Sequence, residues 1–293
     1  MKLLTIIVTY NSADHIAACL DSISCSRATN EIVVFDNASA DASAAIAEAH
    51  DAVSDVIRSD TNLGFSRAVN LAAKGRQFDF LLLANPDMLL DGDAIDALID
   101  AARDHPEAGI FGGEARDTMG RTWPGAVLND HNLAHAAKFA LLFGVIPFTG
   151  RLSPDMPPGG IPKGTRAVPV VVGCLMLVRG SLWEEIGGLD EFFFLYGEDV
   201  DFCMKARALD HSCLFTDRST YLHIRGGSSG GHAEMMKRVL RGRRLLYQRY
   251  AHGRLGTGLL IAGVAIRALL ETLAGRDGTW RACWLDRTVW LTD

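Results

Sequence analysis

The chain has 293 residues, 48% of them apolar, which is ample for one large core or one domain plus a helical appendage. Its formal charge of −6 argues against general affinity for nucleic acid. Its six cysteines (Cys19, Cys25, Cys174, Cys203, Cys213 and Cys283) show no CxxC pair and no zinc spacing, and strand-like residues 3–8 stand where a signal peptide would, so a reduced cytoplasmic compartment is expected.

Strand and helix patterns alternate through the first half. Residues 3–8 read as a strand ending in Thr9-Tyr10-Asn11-Ser12, with Ser12 or Asp14 placed to cap a helix through Ile16, Leu20 and Ile23. Residues 31–35 form a second strand closed by Asp36-Asn37-Ala38-Ser39, and a capped, alanine-rich helix runs on to about His50. Residues 55–58 give a third strand, and Asn62-Leu63-Gly64-Phe65 opens a helix through Ala68, Leu71 and Ala72. The uninterrupted apolar run 80–84 predicts a strand buried on both faces, and residues 95–102 a further helix. Such alternation predicts right-handed βαβ units and a mainly parallel sheet.

Each of these strands ends in small polar residues: Thr9 and Asn11, Asp36 and Asn37, Asn62, then Asn85 and Asp87. Together they would line a crevice at the carboxyl edge of the sheet, where open α/β sheets bind ligands. Pro86 forces a turn that presents Asn85 and Asp87. Two readings of Asp87 stand at this point: a hard-oxygen ligand for Mg²⁺ or Mn²⁺ carrying a diphosphate, or a solvated Asx-Pro turn. The first strand lacks a GxGxxG turn and no GxxxxGK[ST] loop occurs, which disfavours a dehydrogenase or P-loop NTPase.

Residues 123–166, rich in proline and glycine, read as a long irregular segment, either a connection or a lid. Order returns with the β-branched run 167–178 and a short helix near residues 183–186, broken by Gly187-Gly188. After Phe192-Phe193-Phe194-Leu195-Tyr196-Gly197, Glu198, Asp199 and Asp201 crowd three carboxylates into four positions beside apolar rings. That setting raises carboxylate pKa values and suits a general base, while acids at a helix start equally favour the helix dipole. Residues 212–216 read as a short strand, and His223 follows in Tyr221-Leu222-His223.

With these residues in place, the chain resembles a family-2 inverting glycosyltransferase of the GT-A fold, in its rhamnosyltransferase-like branch, from about Leu3 to Ser229. The motifs that carry the resemblance come in the family's order: Ile7-Val8-Thr9-Tyr10-Asn11, Asp36-Asn37-Ala38-Ser39, Asn62-Leu63-Gly64-Phe65 with Asn70, Asn85-Pro86-Asp87, Gly173-Cys174, Gly187-Gly188-Leu189-Asp190-Glu191, Tyr196-Gly197-Glu198-Asp199-Val200-Asp201 and His223. The resemblance implies an α/β, Rossmann-like catalytic domain over residues 1–230, with its mainly parallel sheet flanked by helices, and a helical tail over 231–293. It implies transfer of a sugar, rhamnose from dTDP-rhamnose being the first expectation, from a nucleoside-diphosphate donor to a hydroxyl of a glycan or lipid-linked glycan. Thr9, Tyr10, Asn11, Asp36, Asn62, Gly64, Asn85 and Asp190 would bind the nucleotide-sugar, with Asp190 on the sugar wall. Asp87 and His223 would hold a divalent cation, Asp199 would be the base, and Glu198 its neighbour contacting donor or acceptor. Asn85 stands where the family more often has an acid, Val69 where other branches have a basic residue, and Lys205 where many have Arg.

The tail carries seven Lys/Arg and no acid between residues 237 and 254, then an uncharged run of twelve residues (255–266) too short to span a bilayer, and Trp280, Trp284 and Trp290. This pattern predicts peripheral contact of residues 237–290 with an anionic membrane, at the cytoplasmic face of the inner membrane. Helices packed on the catalytic domain, or forming a homodimer, are the other use of such a tail. An inactive membrane-bound glycan-binding scaffold and a sugar-nucleotide nucleotidylyltransferase are the alternative functions. The first has no use for a base, and the second would want a glycine-rich basic loop after the first strand.

Overall fold

The computed structural model describes residues 1–28, 30–143, 145–146, 150–224 and 231–292. The end of the family-like stretch, residues 225–229, and Pro147 of the irregular segment lie outside the described residues. The first half runs β1 (Leu3–Thr9), α1 (Ile16–Ser24), β2 (Asn30–Asp36), α2 (Ser43–Glu48), β3 (Val53–Arg58), α3 (Phe65–Ala73), β4 (Phe80–Ala84), β5 (Met88–Leu90), α4 (Ala94–Asp104) and β6 (Ala108–Arg116). Then come β7 (Val127–Leu128), α5 (Leu133–Ala140), β8 (Arg166–Val168), β9 (Val170–Val171), β10 (Leu175–Arg179), α6 (Gly180–Ile186), α7 (Glu198–Ala208) and β11 (Ser212–His223). Helices α8 (Gly231–Tyr250), α9 (Arg254–Leu273), α10 (Thr279–Leu285) and α11 (Arg287–Leu291) form the tail.

The main sheet has the order β3-β2-β1-β4-β10-β6-β11-β5, with β8 on the side of β11. β1, β2, β3 and β4 are parallel, as the alternation predicts, and β4 is buried along its whole length. β10 enters antiparallel between β4 and β6, so the sheet is mixed in its second half. One core packs Ile16, Leu20, Leu98 and Phe111 on one face of the sheet, and another packs Val69, Phe193, Phe202 and Leu246 on the other.

Several local expectations are corrected. Neither Ser12 nor Asp14 caps α1 with its side chain; the Ser12 carbonyl accepts from the His15 and Ile16 amides instead. The irregular segment contains α5, capped by the Asn132 side chain accepting from the His135 amide at 3.1 Å. The strand read over residues 212–216 is the start of the twelve-residue β11, whose register shift between Thr216 and Thr220 carries it on to pair with β5. The apolar run ending at residue 266 belongs to a 20-residue helix, long and apolar enough by composition to cross a membrane, with one third of it buried inside the protein. Arg267 lies within it, its side chain folded inward to donate to the Phe139 and Gly263 carbonyls.

The tail shares a third core with α5: Phe139, Leu240, Tyr247, Leu260, Val264 and Trp290. Much of the basic block also turns inward. Lys237 pairs with Glu234 and Asp286, Arg243 with Asp155, and Arg249 with Asp190 and Asp201.

Candidate active site

The carboxyl edge of the parallel strands is shaped by loops that lock one another. Thr9 and Asp36 lie opposite each other at the ends of β1 and β2, both buried, and Thr9 Oγ1 and Asp36 Oδ1 have no hydrogen-bond partner among the described residues. Two orphaned oxygens at one strand end are a natural place for a ligand's donors. Asn11, at φ +54°, donates its amide to Ser39 Oγ and accepts from the Ala40 amide; Tyr10 beside it is exposed. Asn37 accepts from the Leu63 amide and donates to the Gly64 carbonyl, tying the second strand end to the third. Asn62 accepts from the Gly64 amide at 3.0 Å. Gly64 opens α3 at φ +81°, ψ 174°, where a Cβ would run into the Phe194 carbonyl that accepts from the Phe65 amide.

Pro86 turns the chain out of β4, and β5 pairs antiparallel with the end of β11 so that Met88 lies opposite His223. This register brings His223 Nε2 to 3.3 Å from Asp87 Oδ1, across 136 residues of sequence, and the Ile224 amide donates to the Asp87 carbonyl. Burial disfavours the Asp87 charge, but the hydrogen bond and charge of His223 outweigh it and hold the carboxyl below its ordinary range. Nδ1 of His223 is buried without a partner among the described residues, and the ring packs edge-on against Trp123 at 5.3 Å.

The three-carboxylate cluster divides by role. Tyr196 at φ +68° and Gly197 at φ +104° turn the chain sharply into α7, whose first residues are Glu198 and Asp199. Asp199 accepts from the Gly173 amide at 3.1 Å and the Val200 amide at 2.8 Å. Burial raises the pKa of both groups; Glu198, whose Oε2 has no partner among the described residues and which also feels Asp199, is pushed up to about 8. Because the backbone donors sit on Asp199, the pair at neutral pH keeps its charge on Asp199 and its proton on Glu198. Asp201 faces away, buried, and is held by Lys205 at 2.8 Å, Tyr250 at 2.7 Å and Arg249. Asp190 belongs to the same network, 3.4 Å from Lys205 and 2.8 Å from Arg249.

A single short segment joins the two chemical centres. The Cys174 carbonyl accepts from the Asn85 amide at 3.0 Å, one residue from the Gly173 amide that holds Asp199. Beside Asp199 opens a cavity of about 450 Å³, walled by Trp123, Leu128, Met156, Val172, Val239 and Leu246 among others. His131, Asp155 and Arg243 also reach it.

Sequence reasoning passed over several of these contributors. Asn37 lies in a quoted motif without a role, and Asn70, which brackets Leu189 by accepting from its amide and donating to its carbonyl, was noted only as part of one. The spacing of His131 and His135, one helical turn apart, was the one signal in the irregular segment. Their imidazoles stack at 4.0 Å, and with Asp155 they place three ligand-type atoms within 4.8 Å.

The sequence pattern described as "Glycosyl transferase family 2" matches residues 5–184. An N-acetylglucosaminyl-diphospho-decaprenol L-rhamnosyltransferase of Mycobacterium tuberculosis is 28% identical over 238 residues, covering 76% of each chain. Among solved structures, a mannosyltransferase from Pyrobaculum calidifontis in complex with GDP-Man and Mn²⁺ superimposes with a TM-score of 0.57 at 16% identity, covering 99% of this chain and 84% of the other. S. aureus TarS in complex with UDP-GlcNAc gives 0.54 at 18%, covering 93% and 73%. These two establish the GT-A fold.

Proposed function

The chain belongs to glycosyl transferase family 2 and is a glycosyltransferase; from that premise we propose that it moves a sugar, rhamnose from dTDP-rhamnose first among the candidates, from a nucleoside diphosphate to a hydroxyl of a lipid-linked glycan, with inversion. The observation that carries the mechanism is the shared anchor between Asp87 and Asp199, through Asn85, Cys174 and Gly173. It fixes a leaving-group site and a base relative to each other, which is what in-line displacement needs.

The donor half of the site consists of Thr9, Tyr10, Asn11, Asp36, Asn62, Gly64 and Asn85, with Asp190 held nearby through the Lys205 and Arg249 network. Asp87 and His223 fit a divalent cation: a carboxylate kept ionised, with the His223 Nε2 3.3 Å from its Oδ1, offers oxygen and nitrogen ligands suited to Mn²⁺ or Mg²⁺. Such a cation, when bound, neutralises charge on the departing diphosphate. Asp199 takes the acceptor hydroxyl's proton as the oxygen attacks the anomeric carbon, and the bond to the diphosphate breaks with its electron pair leaving on the phosphate oxygen. The passing state resembles an oxocarbenium ion, and one base on the face opposite the leaving group gives inversion. The protonated Glu198 keeps a second negative charge away from the base.

Asp199→Asn tests the assignment. Transfer should fall by about 10²–10⁴-fold with sugar-nucleotide affinity within a few-fold of wild type. Near-normal turnover in that variant rules out Asp199 as the base.

The reading extends to the membrane. Leu255, Ile266, Leu269, Leu270 and Leu273 form an exposed apolar stripe along α9, and Arg254 at its start is exposed, as are Arg238 and Arg241 of α8. This supports peripheral docking on an anionic bilayer at the cytoplasmic face of the inner membrane, where a lipid-linked acceptor would be met. In a flotation assay the protein should rise with phosphatidylglycerol vesicles and much less with phosphatidylcholine; recovery only in the bottom fraction with both refutes it.

A further inference from the structure

Trp123 belongs to two places at once. It walls the cavity beside Asp199, and its ring meets the His223 ring at 5.3 Å with the planes inclined by 62°. The path that brings it there is local. At the end of β6, Asp117 turns the chain: its side chain accepts from the Met119 and Arg121 amides at 2.9 and 3.0 Å, Gly120 takes φ +73°, and Thr122 returns antiparallel to Arg116. The Trp123 amide then donates to the Ala115 carbonyl at 2.8 Å. Ala115 pairs with Tyr221 of β11, two residues before His223, so a tight turn after one strand lays the indole beside a residue of the neighbouring strand.

Gly125 seats that ring. A Cβ at this position would lie 2.1, 2.5 and 2.7 Å from Cζ2, Cε2 and Cη2 of Trp123, three consecutive carbons with Cζ2 in the middle. A point off the edge of the ring would be much farther from the outer two than from the middle one, so this point lies over the ring's face. The Gly125 backbone therefore rests against the face of the indole, closer than any residue with a side chain could come. The seat is itself fixed: the Ala126 carbonyl accepts from the Val172 amide at 3.1 Å, and Val127 and Leu128 pair with β9.

His223 depends on such a support. A histidine that holds a metal is ordinarily oriented by a hydrogen bond at its other ring nitrogen. Here Nε2 faces Asp87, and Nδ1 is buried with no partner among the described residues. Packing must then supply the orientation, and the indole of Trp123 is the ring packed against the imidazole.

We propose that Trp123, seated on Gly125, is the positioning residue that turns His223 towards Asp87 and so sets the affinity of the cation site. The proposal rests on the reading of Asp87 and His223 as cation ligands. It makes the strength of that site depend on two residues whose side chains offer a cation nothing, and one of them is also a wall of the cavity that holds the base.

The test titrates Mn²⁺ into the full chain, alone and with dTDP, and follows the free ion by electron paramagnetic resonance against the same mixtures without protein. Asp87→Asn marks the site and should weaken Mn²⁺ about tenfold or more. Trp123→Ala should weaken it about 10–100-fold, while Trp123→Phe, which keeps an aromatic ring against the imidazole, should hold most of the affinity. Gly125→Ala pushes an intact indole off its seat and should weaken Mn²⁺ by a similar factor to Trp123→Ala. In wild type, Mn²⁺ should also change the tryptophan fluorescence, and Trp123→Phe should lose most of that change while still binding the ion. Should Trp123→Ala fail to fold, Gly125→Ala and the fluorescence of Trp123→Phe carry the test. Mn²⁺ affinity within about twofold of wild type in Trp123→Ala and Gly125→Ala, with Asp87→Asn still impaired, overturns the proposal and leaves the cation reading standing. Binding indifferent to Asp87→Asn, or no Mn²⁺ binding with or without dTDP, brings down the two together.

Discussion

Glu198 carries a measurable cost of its place beside Asp199, the proposed base. It is buried, has an oxygen with no partner among the described residues and adjoins Asp199, and its pKa is pushed from 4.5 up to about 8. Between those values the folded chain holds a proton that the unfolded chain has released, so stability falls as pH rises through the window. By pH 7 about 2.5 pH units of the window have been crossed, and at ~1.4 kcal/mol per unit the cost reaches roughly 3 kcal/mol. Glu198→Gln keeps the volume and places an uncharged amide beside Asp199. The variant should match wild type within about 1 kcal/mol at pH 5 and exceed it by roughly 3 kcal/mol at pH 7, about 6–12 °C in Tm for a chain of this size. Thermal melts of both proteins at half-unit steps from pH 5 to 8.5 read this directly. Parallel curves, or a variant that loses ground as pH rises, refute the proton assignment to Glu198.

Two further outcomes follow from the packing around the site. Arg249→Met removes one of three groups that hold buried Asp201; with Lys205 and Tyr250 still in place, the loss should be about 2 kcal/mol in urea denaturation. It should also raise the KM for donor if Asp190, the other partner of Arg249, faces the sugar. Gly64→Ala places a Cβ against the Phe194 carbonyl in a backbone region open to glycine, so it should cost about 1–3 kcal/mol and lower nucleotide affinity. An unchanged midpoint in the alanine variant would mean that the loop relaxes freely.

The parallel half of the sheet was legible because its strands are short apolar runs bounded by capping and turn residues, and local periodicity decides such segments. Asp87 was legible as a strand end, and the closeness of His223 only through the family resemblance, since a register shift inside β11 sets that contact and leaves no periodic trace. The antiparallel entry of β10 and the helix α5 were missed for a related reason: both depend on tertiary partners, β4 with β6 and the tail core. The basic block reads in sequence as a lipid-facing patch, yet Lys237, Arg243 and Arg249 find acids up to 88 residues away. Composition counts charges and is blind to which of them are answered from inside.

The turn at Tyr196 and Gly197 bears on how the protein can be cut. Its Tyr196 carbonyl rests directly on Gly242 of α8, too close for any Cβ, and Leu246 of the same helix touches Gly197. A fragment ending at residue 230 would keep every family motif up to His223 and still lose the surface that fixes the entry to α7. The shortest active fragment should therefore extend past Tyr250, and a tail-less version should bind nucleotide while its base wanders.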